Sequence, residues 1–153
     1  KIASMHPEWQ VVIVGEAYDW DFSNAPENLL YLGSRSYQSL PDYLRAFDVG
    51  LIPFVDNQIA RGADPVKLYE YMAAGIPVIS RKLPFVDGWQ PPLVYSYDTE
   101  TECLAAISRA LQDTIEGEEE NYQMRLKAAA QNSWDFKVKQ IIGKLAKYTW
   151  LEQ

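Results

Sequence analysis

The sequence predicts an α/β fold, a mostly parallel sheet with helices on both faces. Short apolar runs recur along the chain, and several are closed by glycine or interrupted by proline. Between them lie segments of about ten residues whose apolar positions fall three and four apart. The runs are apolar throughout rather than alternating, as strands covered on both faces by helices require.

In chain order, Lys1 to His6 reads as the end of a helix, because Ile2 and Met5 share one face. A chain that opens on a helix tail is expected to be an excised piece whose first strand and loop lie upstream. Residues 9–15 (WQVVIVG) form the first strand here, followed by residues 29–33 (LLYLG), 49–54 (VGLIPF), 76–80 (IPVIS) and 93–95 (LVY). Ser39 and Pro41 open a helix bearing Leu40, Tyr43, Leu44 and Phe47. Asp64 and Pro65 open the next, since Asp is a good N-cap and Pro suits the first helical position. Leu68, Tyr71 and Met72 give it an apolar face, and Gly75 ends it as a C′ glycine. Residues 99–115 form a helix with a Leu104, Ile107, Leu111 stripe, and residues 118–131 form another. Ser133 caps a last helix with Trp134, Val138, Ile141, Leu145 and Tyr148 along one seam.

A chain of 153 residues has room for one core, so residues 1–153 read as one domain. A net charge of −7 disfavours nucleic acid and anionic lipid as partners, since the long-range field repels both. The run Glu116, Glu118, Glu119, Glu120 is a solvated helix start. Cys103 is the only cysteine, which excludes an internal disulfide and a cysteine-rich metal site and fits a reducing, cytoplasmic compartment. No apolar run is long enough for a membrane span, and no secretory signal opens the sequence.

In such sheets ligands bind beyond the carboxyl ends of the strands. The stretch 54–80 (FVDNQIARGADPVKLYEYMAAGIPVIS) begins at such an end and passes Arg61 and Gly62 into a helix. A helix N-terminus offers free N–H groups and a positive dipole end, which favour a phosphate, and Gly62 lets backbone approach closely. Lys67 lies in the first turn, where a cation opposes the dipole unless an anion accompanies it. Glu70 shares its face, and a carboxylate there can accept both hydroxyls of a ribose. From helix-face chemistry alone, a Lys67–Glu70 surface ion pair is the simpler reading.

The segment from Asp64 to Ile79 resembles the donor-binding helix of bacterial glycosyltransferases of the GT-B fold, many of which carry Pro-x-Lys-Leu-Tyr-Glu-Tyr-x-Ala-x-Gly-x-Pro-Val-Ile there. Leu32-Gly33, Leu40 to Phe47, Asp48 to Phe54 and Ser133-Trp134 resemble further parts of the same domain, so the likeness covers roughly residues 9–150. It implies the Rossmann-like C-terminal half of such an enzyme, which moves a sugar from a nucleoside diphosphate to an acceptor hydroxyl. It further implies that Glu70 binds the ribose and Lys67 the diphosphate or sugar. Backbone N–H groups at Val66 and Lys67 would complete the site, and the loop at Ser34 and Arg35 would lie against the base. No metal or other cofactor is implied, because helix dipole and cations stabilise the departing diphosphate. The resemblance also implies a separate N-terminal acceptor domain, a role in cell-surface polysaccharide or glycolipid synthesis, and a parent enzyme at the inner membrane face. The fragment alone is expected to bind donor weakly and transfer nothing.

Two departures stand out. Many relatives carry a glutamate eight positions before the ribose-binding one, where this chain has Gly62. Basic residues that relatives place in the first strand and helix of this domain would fall before Lys1. Gly62 leaves open an alternative, a non-catalytic Rossmann-like scaffold; a receiver-like signalling domain is only loosely suggested by Glu16 and Asp56.

Other residues read more plainly. His6 is expected at the surface, Cys103 in the core, and Trp134 and Trp150 as packing anchors, with Trp150 alternatively reaching the acceptor domain. Trp89 lies in a loop, and Arg81 and Lys82 are either solvated charges or phosphate contacts.

Overall fold

The computed structural model describes residues 1–18 and 20–146; Tyr148 and Trp150 lie outside the described residues. The chain divides into two compact units, residues 1–45 and 46–153.

In the first unit α1 (Ile2–Met5) precedes two parallel strands, β1 (Val11–Val14) and β2 (Leu29–Gly33). The register runs from Val11 opposite Leu29 to Ile13 opposite Tyr31, then slips so that Val14 meets Gly33. Asn28 fixes the entry to this pair: its side-chain amide donates toward the carbonyls of Ala3, His6 and Trp9 at 2.9, 2.9 and 2.7 Å. A 3-10 turn (Tyr37–Ser39) leads into α2 (Leu40–Leu44). That helix is shorter than expected and excludes Phe47, and Ser39 donates back to the Ser36 carbonyl instead of capping. The two strands are also not buried on both faces. Every residue of β1 is only partly buried, and Leu30 and Tyr31 of β2 are exposed. Forty-five residues bury too little surface to cover two faces of a sheet. His6 finds its partners two and three residues on: its ring stacks on Trp9 at 3.8 Å and its Nδ1 lies 2.8 Å from Glu8.

The second unit holds the larger sheet, β3 (Gly50–Ile52), β4 (Val78–Arg81) and β5 (Val94–Tyr97), all parallel in that spatial order. Its helices are α3 (Gln58–Arg61), α4 (Val66–Ala73), α5 (Glu100–Glu116), α6 (Glu118–Gln131) and α7 (Trp134–Leu145). Ile52, Val78 and Val94 point to one face and form a core with Leu68 and Met72 of α4 and Ala128 of α6. Side chains alternate along a strand, so Tyr95 points to the opposite face, where its hydroxyl bonds Asp113 of α5. Helices therefore flank both faces of a parallel sheet, as the apolar runs require.

Local signals account for most helix ends. Thr99 and Glu102 form a reciprocal capping box at the start of α5. The Ser133 hydroxyl accepts from the Phe136 N–H at 3.3 Å to cap α7. Gly75 has φ +77° and closes α4 as a Schellman turn, with Gly75 N–H on the Met72 carbonyl and Ile76 N–H on that of Tyr71. Cys103 lies in the core as expected, and the buried line of α5 is Cys103, Ile107 and Ala110, with Leu104 and Leu111 on its flanks. The α7 seam is different. Trp134 is 82% exposed, and Val138, Ile141 and Leu145 are exposed too, so among the described residues Trp134 anchors no core. No described helix is long and apolar enough to cross a membrane.

Candidate functional site

The carboxyl end of β3 opens into a loop that Asn57 turns into α3, its side chain accepting from the Ala60 N–H at 2.8 Å. Arg61 folds back on Asp56 with two hydrogen bonds, Nε to Oδ1 at 2.6 Å and a terminal nitrogen to Oδ2 at 2.8 Å. This fork holds the Asp56 carboxyl below its usual range, with a smaller pull from Arg81 at the end of β4.

Gly62 follows with φ −96°, outside the left-handed region, and a Cβ there would lie 3.7 Å from the Gln58 carbonyl oxygen. Among the described residues nothing demands glycine at this position. Gly62→Ala is expected to leave stability unchanged or raise it by up to about 1 kcal/mol, through a less mobile unfolded chain. A urea midpoint that fell instead would show that the loop depends on the missing Cβ.

The start of α4 departs from expectation. Pro65 is the N-cap, with φ −72° and ψ 124°, and the helix begins at Val66. Asp64 makes no capping bond, because its carboxylate accepts from the Tyr69 hydroxyl at 2.8 Å. Lys137 of α7 completes this cluster, 3.9 Å from Asp64 and 4.8 Å above the Tyr69 ring. Burial, then the bond to Asp64, pushes the Tyr69 phenol up to about 12. Nothing local to Asp64 in the sequence points to Lys137; only the fold brings the last helix there.

Leu68 N–H is taken by the Pro65 carbonyl at 3.0 Å. The N–H groups of Val66 and Lys67 are the remaining donors of the first turn. Leu68 and Met72 are fully buried, which turns Lys67 and Glu70 to the opposite, outer side of α4. Lys67 is exposed and Glu70 half-buried, and among the described residues they form no ion pair with each other. The simple surface pair is not made.

Arg61, at the end of α3, Gly62 after it, and Val66, Lys67 and Glu70 of α4 therefore lie on one continuous stretch of chain. Ser34 and Arg35 belong to the first unit, just past β2, where Arg35 donates to the Tyr43 hydroxyl at 2.8 Å and to the Ser34 carbonyl at 3.0 Å. Lys82 lies 3.9 Å from Asp98 on the surface, and Trp89 packs against the core of the second unit.

A family model described as glycosyl transferases group 1 matches residues 1–113. The chain is also similar to a putative teichuronic acid biosynthesis glycosyltransferase, TuaH, of Bacillus subtilis (strain 168), with 29% identity over an alignment of 159 positions. That alignment covers 99% of this chain and 38% of the relative, so the chain spans well under half of the relative's length.

Proposed function

Because the chain belongs to the group 1 glycosyltransferases, we propose that it binds a nucleoside-diphosphate sugar on the outer side of α4. The observation that carries this reading is that Lys67 and Glu70 share the outer side of α4 and, among the described residues, form no ion pair with each other, beside a first turn whose Val66 and Lys67 N–H groups face no described backbone acceptor. Those N–H groups and the Lys67 ammonium supply a diphosphate site. Glu70, three residues on, accepts the ribose hydroxyls. As the sugar leaves, helix dipole and lysine stabilise the charge growing on the diphosphate, and no bound metal or other cofactor is needed for that. Arg61 is held by Asp56 at the edge of this site and shapes the loop, leaving Lys67 as the direct cation.

The parent protein then transfers the sugar to an acceptor hydroxyl held by a separate N-terminal domain. The name of the relative, a teichuronic acid biosynthesis glycosyltransferase of which 38% is covered, supports a polysaccharide as product; a cytoplasmic site of action at the inner membrane face is our proposal. Gly62 stands where many similar enzymes carry a sugar-contacting glutamate, so another group makes that contact. The same glycine favours a second reading, a non-catalytic module that keeps the fold without the ligand.

An NMR titration of the chain with UDP, GDP and ADP separates the two. The transferase reading expects saturable binding of one nucleotide, with the largest amide shifts at Val66, Lys67 and Glu70. Absence of binding at millimolar concentration fits the scaffold and equally a donor site that needs more of a longer protein, and shifts confined to other segments sink the assignment to α4.

A further inference from the structure

The loop joining β1 to β2 carries a feature that the donor site does not use. Trp20, Phe22 and Tyr31 stack as three nearly parallel rings, with centroids 5.3 and 4.2 Å apart and planes 10° and 8° from parallel. The stack is not a core. Trp20 at its end is 61% exposed, Tyr31 is exposed, and Phe22 is half-buried between them. Local bonds hold the rings in place. The Tyr31 hydroxyl accepts from the Ala17 N–H at 3.2 Å, and Ala25 N–H closes a turn on the Phe22 carbonyl at 3.0 Å. Asp21 accepts from the backbone and hydroxyl of Ser23 at 2.9 and 2.8 Å. A large indole left exposed on an ordered stack buries little apolar area, so folding alone gives it little reason to be there.

The groups around the stack select among ligands with a flat apolar face. The same loop carries two carboxylates, Glu16, which accepts from the Tyr18 hydroxyl, and Asp21, which lies between Trp20 and Phe22 in the chain and accepts from Ser23, and it adds the amide of Asn24. Carboxylates repel phosphates, in a chain of net charge −7, which disfavours a nucleotide. They accept readily from neutral hydroxyls. A pyranose presents C–H groups on one face and hydroxyls at its rim, and fits both features.

We propose that the Trp20–Phe22–Tyr31 stack is a subsite for an uncharged pyranose unit of a saccharide. The choice of a saccharide rests on the transferase reading, whereas the choice of an uncharged one rests on the carboxylates. Recognition by a ring face tolerates different linkages and epimers, because each sugar keeps a C–H face.

Saturation-transfer NMR of the chain with maltohexaose, cellohexaose and chitohexaose tests this, with hexagalacturonate as the anionic comparison. At least one neutral sugar should bind saturably below about 20 mM, receive saturation on its ring C–H protons, and shift the Trp20 indole signal. Trp20→Ala should weaken it roughly tenfold, the scale of one lost stacking partner. Trp20→Phe should retain most of the binding, and Trp134→Ala should change nothing. No saturable binding of any neutral sugar, binding indifferent to Trp20→Ala, or tighter binding of hexagalacturonate would each overturn the proposal. A nucleotide titration in the same sample reports on α4 separately, so failure of the stack and failure of the donor site are distinguishable.

Discussion

Arg125→Ala is expected to destabilise the chain by about 4 kcal/mol, from two stranded carbonyls and the volume lost with a long buried side chain. Arg125 is 1% exposed, on a helix whose first turn is acidic and solvated. Its Nε donates to the Pro92 carbonyl and a terminal nitrogen to that of Gly75, both at 3.0 Å. One guanidinium thus joins α6, the exit of α4 and the approach to β5. Burial drags its pKa down, while Tyr95 and Asp113 nearby push it up. Its second terminal nitrogen has no partner among the described residues. Arg125→Met keeps most of the volume and removes the buried charge, so it should cost less than the alanine variant. Urea denaturation of both variants checks the order. An alanine variant within about 1 kcal/mol of the parent chain would show that the two carbonyls find other donors. Because Gly75 closes α4, the loss should also loosen the helix that carries Lys67 and Glu70, and amide exchange at residues 72–76 would report it.

That residue also shows where reading the sequence stops. An arginine in a polar helix looks like every other solvated charge, and its two acceptors lie 33 and 50 residues away. Lys137 over Tyr69 was hidden for the same reason. Signals confined to one turn were legible, Ser133 as a cap and Gly75 as a C′ residue, and so was the longer helix Glu118–Gln131. Asp64-Pro65 shows how a local rule fails, since Asp64 is drawn from the helix end by a tyrosine one turn on. The α7 stripe has helical spacing, yet periodicity records only that a face is apolar and not what covers it. The candidate donor segment could be proposed from the sequence because its residues lie within ten consecutive positions, 61–70, from the end of α3 into α4.

Lys67 and Glu70 should then fail in different ways when changed, and the difference tests their roles. Glu70→Gln is expected to weaken a ribonucleoside diphosphate at least tenfold, as loss of hydrogen bonds to a charged acceptor does. It should weaken the 2′-deoxy analogue clearly less, since that lacks one of the two hydroxyls to be bound. Lys67→Ala should weaken diphosphate and deoxydiphosphate alike, again by at least tenfold, and should flatten the dependence of binding on salt. Calorimetry with the nucleotide that binds, its deoxy analogue and two salt concentrations separates these patterns. Stability provides the opposing measurement. If the two residues were only a surface pair, each variant would lose a few tenths of a kcal/mol and binding would not change. The donor reading expects Lys67→Ala to hold or slightly raise the stability of the free chain, since an exposed cation in the first turn opposes the helix dipole. A residue slightly adverse to the fold and strongly favourable to the complex is placed for its ligand. Equal weakening of both nucleotides by Glu70→Gln would remove the ribose from that carboxylate and leave α4 as an anion site alone.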